Sequence, residues 1–171
     1  AKGSVIDLKF APYEAFWLVC DPTHESTAVA KPKEASKTIT ELNGPWQLYI
    51  DAQAQPPLEH EPKIPRELLV GVQRPLQDWE QWQLKRFSGY VDYTKTIELN
   101  PGQGQTVLDL GRVRHLAQVW INGTDVGSRL WPPFTFDITD AMKPGTNTVK
   151  VRVGNLTNNN YGQKSDSGLF G

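Results

Sequence analysis

The stretch "QVWINGTDVG", residues 118–127, constrains the fold more than any other part of the chain. Asn122-Gly123 stands between two runs in which apolar and polar residues alternate. A two-residue type I′ turn needs positive φ at both central positions, which Asn and Gly supply at low cost. Val119 and Ile121 share one face before the turn. Val126 joins that face after it, because side chains alternate along a strand. The expected element is an antiparallel hairpin with one buried face.

The same alternation recurs along the chain. "WQLYI" (46–50) puts Trp46, Leu48 and Ile50 on one side, and "YVDYTKTIEL" (90–99) does so with Val91, Tyr93, Ile97 and Leu99. Lys95 interrupts that second face, which places it either at a sheet edge or on a stem that snorkels to water. Asn100-Pro101-Gly102 reads as a turn. "TVLDLG" (106–111) contributes Leu108 and Leu110, and Gly111 ends the strand where positive φ is needed. "FTFDIT" (134–139) turns Phe134, Phe136 and Ile138 inward. Asp137 then points the other way, toward a neighbouring loop or a ligand. "DAMKPG" (140–145) reads as a helical turn capped by Thr139 or Asp140 and ended by Pro144-Gly145. "TVKVRV" (148–153) sets Val149, Val151 and Val153 against Lys150 and Arg152. No long segment shows a period of 3.6, so many short strands predict an all-β, jelly-roll β-sandwich. This domain is expected over 38–171. Residues 51–78, with Pro56, Pro57, Pro62, Pro65 and Pro75, read as a long irregular loop. Residues 21–37 read as a linker, and 1–20 as two short strands split by Ala11-Pro12-Tyr13.

A formal net charge of -1 over 171 residues argues against a general binder of nucleic acid or anionic membrane. The longest apolar runs are too short to span a bilayer. The start, "AKGSVIDLKF", carries no signal-peptide core, which leaves localisation unassigned: periplasmic or secreted if a parent protein supplies a leader. A single cysteine, Cys20, excludes an internal disulfide. His24, His60 and His115 are far apart, so no zinc set is expected. No cofactor is expected either, and a structural calcium ion stays open without assigned ligands.

Three stretches carry a family resemblance: "FSGYVDYTKTIEL" (87–99), "VLDLGRVRHLAQVWINGTDVG" (107–127) and "PPFTFDITDAMKPGTNTVKVRVGNL" (132–156). The ordered series resembles the sugar-binding domain of glycoside hydrolase family 2, a galactose-binding-like jelly roll. With "LWPPF" (130–134) and "SGLFG" (167–171), the pattern is closer to the C-terminal β-sandwich of family 106 proteins, the α-L-rhamnosidase group. The resemblance covers roughly residues 40–171. It implies a non-catalytic, carbohydrate-binding-like accessory module that positions glycan or supports an active site. Its partners would be an oligo- or polysaccharide and the catalytic domain of a parent enzyme of α-L-rhamnosidase or β-galactosidase type. The family pattern continues with Pro-Val after "GLFG", and residues 1–20, with "APYEAFWLV", are similar to the last strands of a preceding β domain. The chain is therefore expected to be a slice of a longer hydrolase. A purely structural inter-domain sandwich is the alternative.

A glycosidase needs two carboxylates facing each other across a sugar. Glu59 and Glu61 flank His60 in a proline-rich loop, and Asp137 and Asp140 flank a turn; neither pair suits an acid and a nucleophile. No nucleophile elbow, His-Glu-x-x-His or phosphate loop is present. No catalytic residue is expected. Sugar sites pair an aromatic platform with a few planar hydrogen-bonding groups. Trp131, between two prolines and the hairpin, and Arg129, two residues before it, fit that pattern. So do Tyr161 and Asn159 in the polar loop after the last strong strand, and Trp79 in "DWEQWQLKRF". Each has a plainer role open to it. Trp131 can plug the sandwich end. Trp79 and Trp82, three apart, share one face of a helical turn that can pack on the sheet. Trp120 faces away from Val119 and Ile121, as a platform or an inter-domain contact. "NGT" at Asn122 and "NLT" at Asn155 match glycosylation acceptors, though Asn122 is better explained by its turn.

Overall fold

The computed structural model describes residues 8, 39–50, 70–82, 84, 87–100, 104–156 and 166–170. The expected strands in 1–20, the linker at 21–37 and the turn at Pro101-Gly102 lie outside these residues, as do Tyr161 and Asn159. The strands are β1 (Trp46–Ile50), β2 (Val70–Arg74), β3 (Tyr90–Glu98), β4 (Val107–Asp109), β5 (Val113–Arg114), β6 (Leu116–Ile121), β7 (Thr124–Arg129), β8 (Thr135–Asp137), β9 (Thr146–Gly154) and β10 (Gly168–Leu169). Six of them form one antiparallel sheet in the order β2-β1-β3-β9-β6-β7. The pairs β4–β8 and β5–β10 form two smaller antiparallel sheets. The chain is an all-β sandwich, as its alternating pattern predicts.

Register explains the core. Leu48 pairs with Tyr93, Tyr93 with Val151 and Val151 with Val119, so one row of side chains crosses four strands. Ile50, Val91, Val153 and Ala117 make the next row. All eight are buried, and one hydrophobic cluster joins them to Leu108, Phe136, Val113 and Leu169 of the small sheets. A one-residue slip in any of these strands would send its apolar set to water, so the alternation itself fixes the register.

The Asn-Gly hairpin forms as expected. Asn122 has φ 53° and Gly123 φ 86°. The Asn122 side chain also ties the turn down: its Nδ2 donates to the Ala141 carbonyl at 2.9 Å, and its Oδ1 accepts from the Thr148 N–H at 3.0 Å. Lys95 snorkels and is not at an edge, because β3 lies between β1 and β9. Its Nζ donates to the carbonyls of Asn43 and Pro45 at 2.6 and 3.1 Å.

Two expectations need correction. First, part of the irregular loop is the edge strand β2, which pairs with β1 from Trp46↔Arg74 to Tyr49↔Val70. Gly71 at φ 71° and a register shift at Leu48/Tyr49 hide the alternation there. Second, the turn at Thr139–Ala141 is capped by neither Thr139 nor Asp140: Asp137 accepts from the Thr139 N–H at 3.0 Å and from its hydroxyl at 2.6 Å. Gln105 donates to the other Asp137 oxygen at 2.8 Å, so this carboxylate is structural. Those hydrogen bonds, the Thr139 hydroxyl first, hold its pKa below the ordinary 3.8. "SGLFG" also contains a strand, on which the sequence pattern carries no expectation. Gly168 in β10 has φ 139°, and a Cβ there would sit 2.8 Å from the Gln77 carbonyl oxygen. Only glycine lets this strand close against Asp78 and the Trp79 turn.

Candidate functional site

An open cleft of about 520 Å³ lies at one end of the sandwich. One wall is Gly111–His115, the turn into β5 and the residues after it. The other is Leu130, Trp131 and Pro132 of the β7–β8 loop, with Phe134 below. Backbone bonds fix both walls. Leu110 N–H donates to the Phe134 carbonyl at 3.0 Å, Phe170 N–H to the Arg112 carbonyl at 3.0 Å, and His115 N–H to the Gly154 carbonyl at 2.8 Å. The peptide bonds Arg114-His115 and Pro132-Pro133, one in each wall, are cis.

Trp131 is 55% exposed and Leu130 58%, so Trp131 does not plug the sandwich. Facing them are three basic side chains that the sequence reading did not gather. Arg112 pairs with Asp166 and lies 4.6 Å from the Phe170 ring centroid. Arg114 is exposed, and among the described residues it has no ion pair. The Nε2 of His115 is buried with no hydrogen-bond partner among the described residues. Burial, and then the neighbouring Arg114 charge, pull the His115 pKa below its ordinary 6.5, so the imidazole is neutral at pH 7. Among the described residues no carboxylate lines the cleft, and Asp166 is the acid paired with Arg112 of its wall. The signal for this wall was present in "GRVRH": an inward Val113 sends Arg112 and Arg114 outward together.

The other expected site residues are dispersed. Arg129 is outside the cleft lining. Its Nε donates to the Thr135 carbonyl at 2.7 Å and its guanidinium lies 5.7 Å from the Phe136 ring centroid, so it braces the β7–β8 loop that carries Trp131. Trp79 must be withdrawn as a sugar platform. It is fully buried on the 3-10 turn Trp79–Trp82, and its indole N–H is spent on the Tyr93 hydroxyl at 2.6 Å. Packing on the sheet wins because the turn puts both tryptophans on its inner face.

A second feature occupies the outer face of the large sheet. Asp92, with a side chain only 7% exposed, accepts two bonds from Arg152 at 2.6 and 2.9 Å and pairs with Lys150 at 2.9 Å. Lys150 and Arg152 lie 4.9 and 5.7 Å from the Trp120 ring centroid, so protein cations already engage that ring. Burial raises the Asp92 pKa, but the hydrogen bonds and charges of Arg152 and Lys150 outweigh it, and the net value falls below 3.8. A depressed carboxylate contributes stability above its unfolded pKa that is lost as pH falls through the folded one. The difference in melting temperature between the wild type and Asp92→Asn should therefore be open at pH 7 and narrow below about pH 4. A pH series of thermal melts checks this, and a constant gap down to pH 3 would show the pair to be energetically idle.

Among the described residues no group of three or more His, Cys, Asp or Glu side chains is placed to hold a metal ion. No protein-family model matches the chain. A Formosa agariphila protein named "Putative beta-glucuronidase" is 36% identical over 88 residues, 47% of this chain and 8% of that protein. A rhamnosidase from Novosphingobium sp. PP1Y superposes with a TM-score of 0.65 at 27% identity, over 84% of this chain and 15% of its own. A β-glucuronidase from Ruminococcus gnavus superposes with a TM-score of 0.56 at 20% identity, over 73% of this chain and 22% of its own, a likeness of fold alone. The relatives found are glycoside hydrolases, and in each the likeness is confined to a small part of the protein.

Proposed function

We propose that this chain is a non-catalytic accessory module of a larger glycoside hydrolase, and that it holds glycan in the cleft beside Trp131. The observation that carries this reading is the exposed Trp131 ring facing two guanidinium groups and an imidazole across about 520 Å³. That volume lies within the roughly 300–1,000 Å³ of ordinary ligand sites. Sugar rings offer C–H faces to an indole and hydroxyl pairs to planar donors, and this cleft presents both partners. Among the described residues its lining holds no carboxylate, which supports a reading of holding a glycan over cleaving it. Arg129 acts here as a positioning residue for the Trp131 loop. Tyr161 and Asn159 remain further contacts to test by substitution. The resemblance to the family 2 and family 106 domains supports the same reading, with a parent enzyme of α-L-rhamnosidase or β-galactosidase type.

Calorimetry or affinity electrophoresis of the whole chain against pectic and galactose-containing glycans tests it. Trp131→Ala should weaken binding by about tenfold or more, since base or sugar stacking on an indole is worth roughly 1–3 kcal/mol. Its melting temperature should not move, because the ring is exposed. Flat titrations across the panel with a folded chain would overturn the proposal. They would favour the alternative, a structural inter-domain sandwich, whose supporting observation is the aromatic outer face, where Tyr49 and Tyr90 are exposed and Arg152 lies against both Tyr90 and Trp120.

A further inference from the structure

We infer that the cleft selects acidic glycans, binding a ring-borne carboxylate or sulfate on Arg114 while the sugar stacks on Trp131. This rests on the reading of the cleft as a glycan site. The chain as a whole is close to neutral, yet the cleft wall concentrates Arg112, Arg114 and His115, and among the described residues the ion pair there is that of Arg112 with Asp166. The three differ in what they can offer. Arg112 is already held, by Asp166 on one side and by the Phe170 ring on the other. His115 is neutral at pH 7, so it brings no charge.

Arg114 is left. Its register partner across β5–β10 is Gly168, which has no side chain to pair with it or cover it. Gly168 is itself fixed by its φ and by the Gln77 carbonyl and Trp79 ring packed against it, so no side chain can be introduced there to pair with Arg114. A guanidinium fork matches a planar carboxylate or a tetrahedral oxyanion with two parallel N–H···O bonds, a fit that a neutral hydroxyl pair cannot equal. A neutral polymer would leave the Arg114 charge in water and gain only the stacking.

The test is calorimetry and affinity electrophoresis of the full chain against polygalacturonate, a sulfated galactan and a neutral galactan. At least one acidic polymer should bind about tenfold tighter than neutral galactan, with the advantage shrinking as salt rises. Arg114→Ala should erase the advantage, and Arg114→Lys should restore part of it by keeping the charge without the fork. Tight binding of polygalacturonate alone assigns a carboxylate, and of the sulfated polymer alone a sulfate ester; either supports the inference. Lys143, exposed at the opposite end of the sheet, is the control. An equal loss in Lys143→Ala would mean diffuse charge attraction and would overturn the site. Equal binding of neutral and acidic polymers, unchanged in Arg114→Ala, would overturn the acidic preference and leave glycan binding standing. No binding to any polymer would remove both.

Discussion

Trp79→Ala is expected to lower the melting temperature by roughly 6–20 °C, from a loss of about 3–5 kcal/mol at about 2–4 °C per kcal/mol for a chain of this size. Trp79 is one of the largest fully buried side chains. It packs edge-on against Phe87 with ring centroids 5.5 Å apart, and its truncation would leave a cavity too well walled to collapse. The polar loss adds to the apolar one. Tyr93 lies in the central row of the large sheet with no exposure, and burial pushes its phenol far above the ordinary 10.0. Without the Trp79 indole its hydroxyl would lose one donor inside the core and keep the Leu169 backbone bond, a loss of about 0.5–1.5 kcal/mol within that total. Trp79→Phe separates the two effects: it restores most of the volume but no N–H, so it should recover more than half of the lost midpoint. Differential scanning calorimetry on the three chains measures this. A shift under about 1 kcal/mol for alanine would mean that the turn is not part of the cooperative core.

Why Trp79 misled the sequence reading, while the valines did not, is a matter of period. Val149, Val151 and Val153, or Trp46, Leu48 and Ile50, declare their face by alternation, and the sheet obeys. A four-residue 3-10 turn has too few residues to declare one. The spacing of Trp79 and Trp82 favours a shared face packed on the sheet, but it leaves a platform open until the sheet is placed beneath them. β5 and β10, two residues each, are too short to show any alternation. The cleft was legible by half for the same reason. Trp131 stood out beside two prolines, an aromatic on a stiffened loop that reads as a platform or as a plug. Arg112, Arg114 and His115 needed the third dimension, because only the return of the chain at Gly168–Leu169 sets β5 opposite the Trp131 loop. Arg129 shows the converse: close to Trp131 in sequence, it is turned onto Phe136 by the strand's own alternation.

Asn147 carries the second large effect, and nothing in its sequence neighbourhood announces it. It shares the face of Val149, two residues back along β9, where an apolar residue is expected, and it is fully buried. Its Nδ2 donates to the carbonyls of Leu99, Lys143 and Gly145 at 3.3, 2.7 and 2.9 Å. Its Oδ1 accepts from the Lys143 N–H at 2.9 Å and from Asn122 Nδ2 at 2.8 Å. One side chain thus satisfies the backbone of the β8–β9 connection and the end of β3, and links both to the Asn-Gly turn. Asn147→Ala should cost about 2–4 kcal/mol, since it orphans several polar groups at once, each worth roughly 1–3 kcal/mol when buried without a partner. Asn147→Asp decides the mechanism. It keeps the size and both acceptor roles but sets a carboxylate against three carbonyl oxygens, so it should be at least as damaging as alanine. Urea titrations should show a lower midpoint with unchanged slope for both variants, and amide exchange should quicken first at Asn122 and Lys143. If the aspartate variant is as stable as the wild type, the donor role fails. The closed end of the sandwich, opposite the cleft, would then be held by its strands alone.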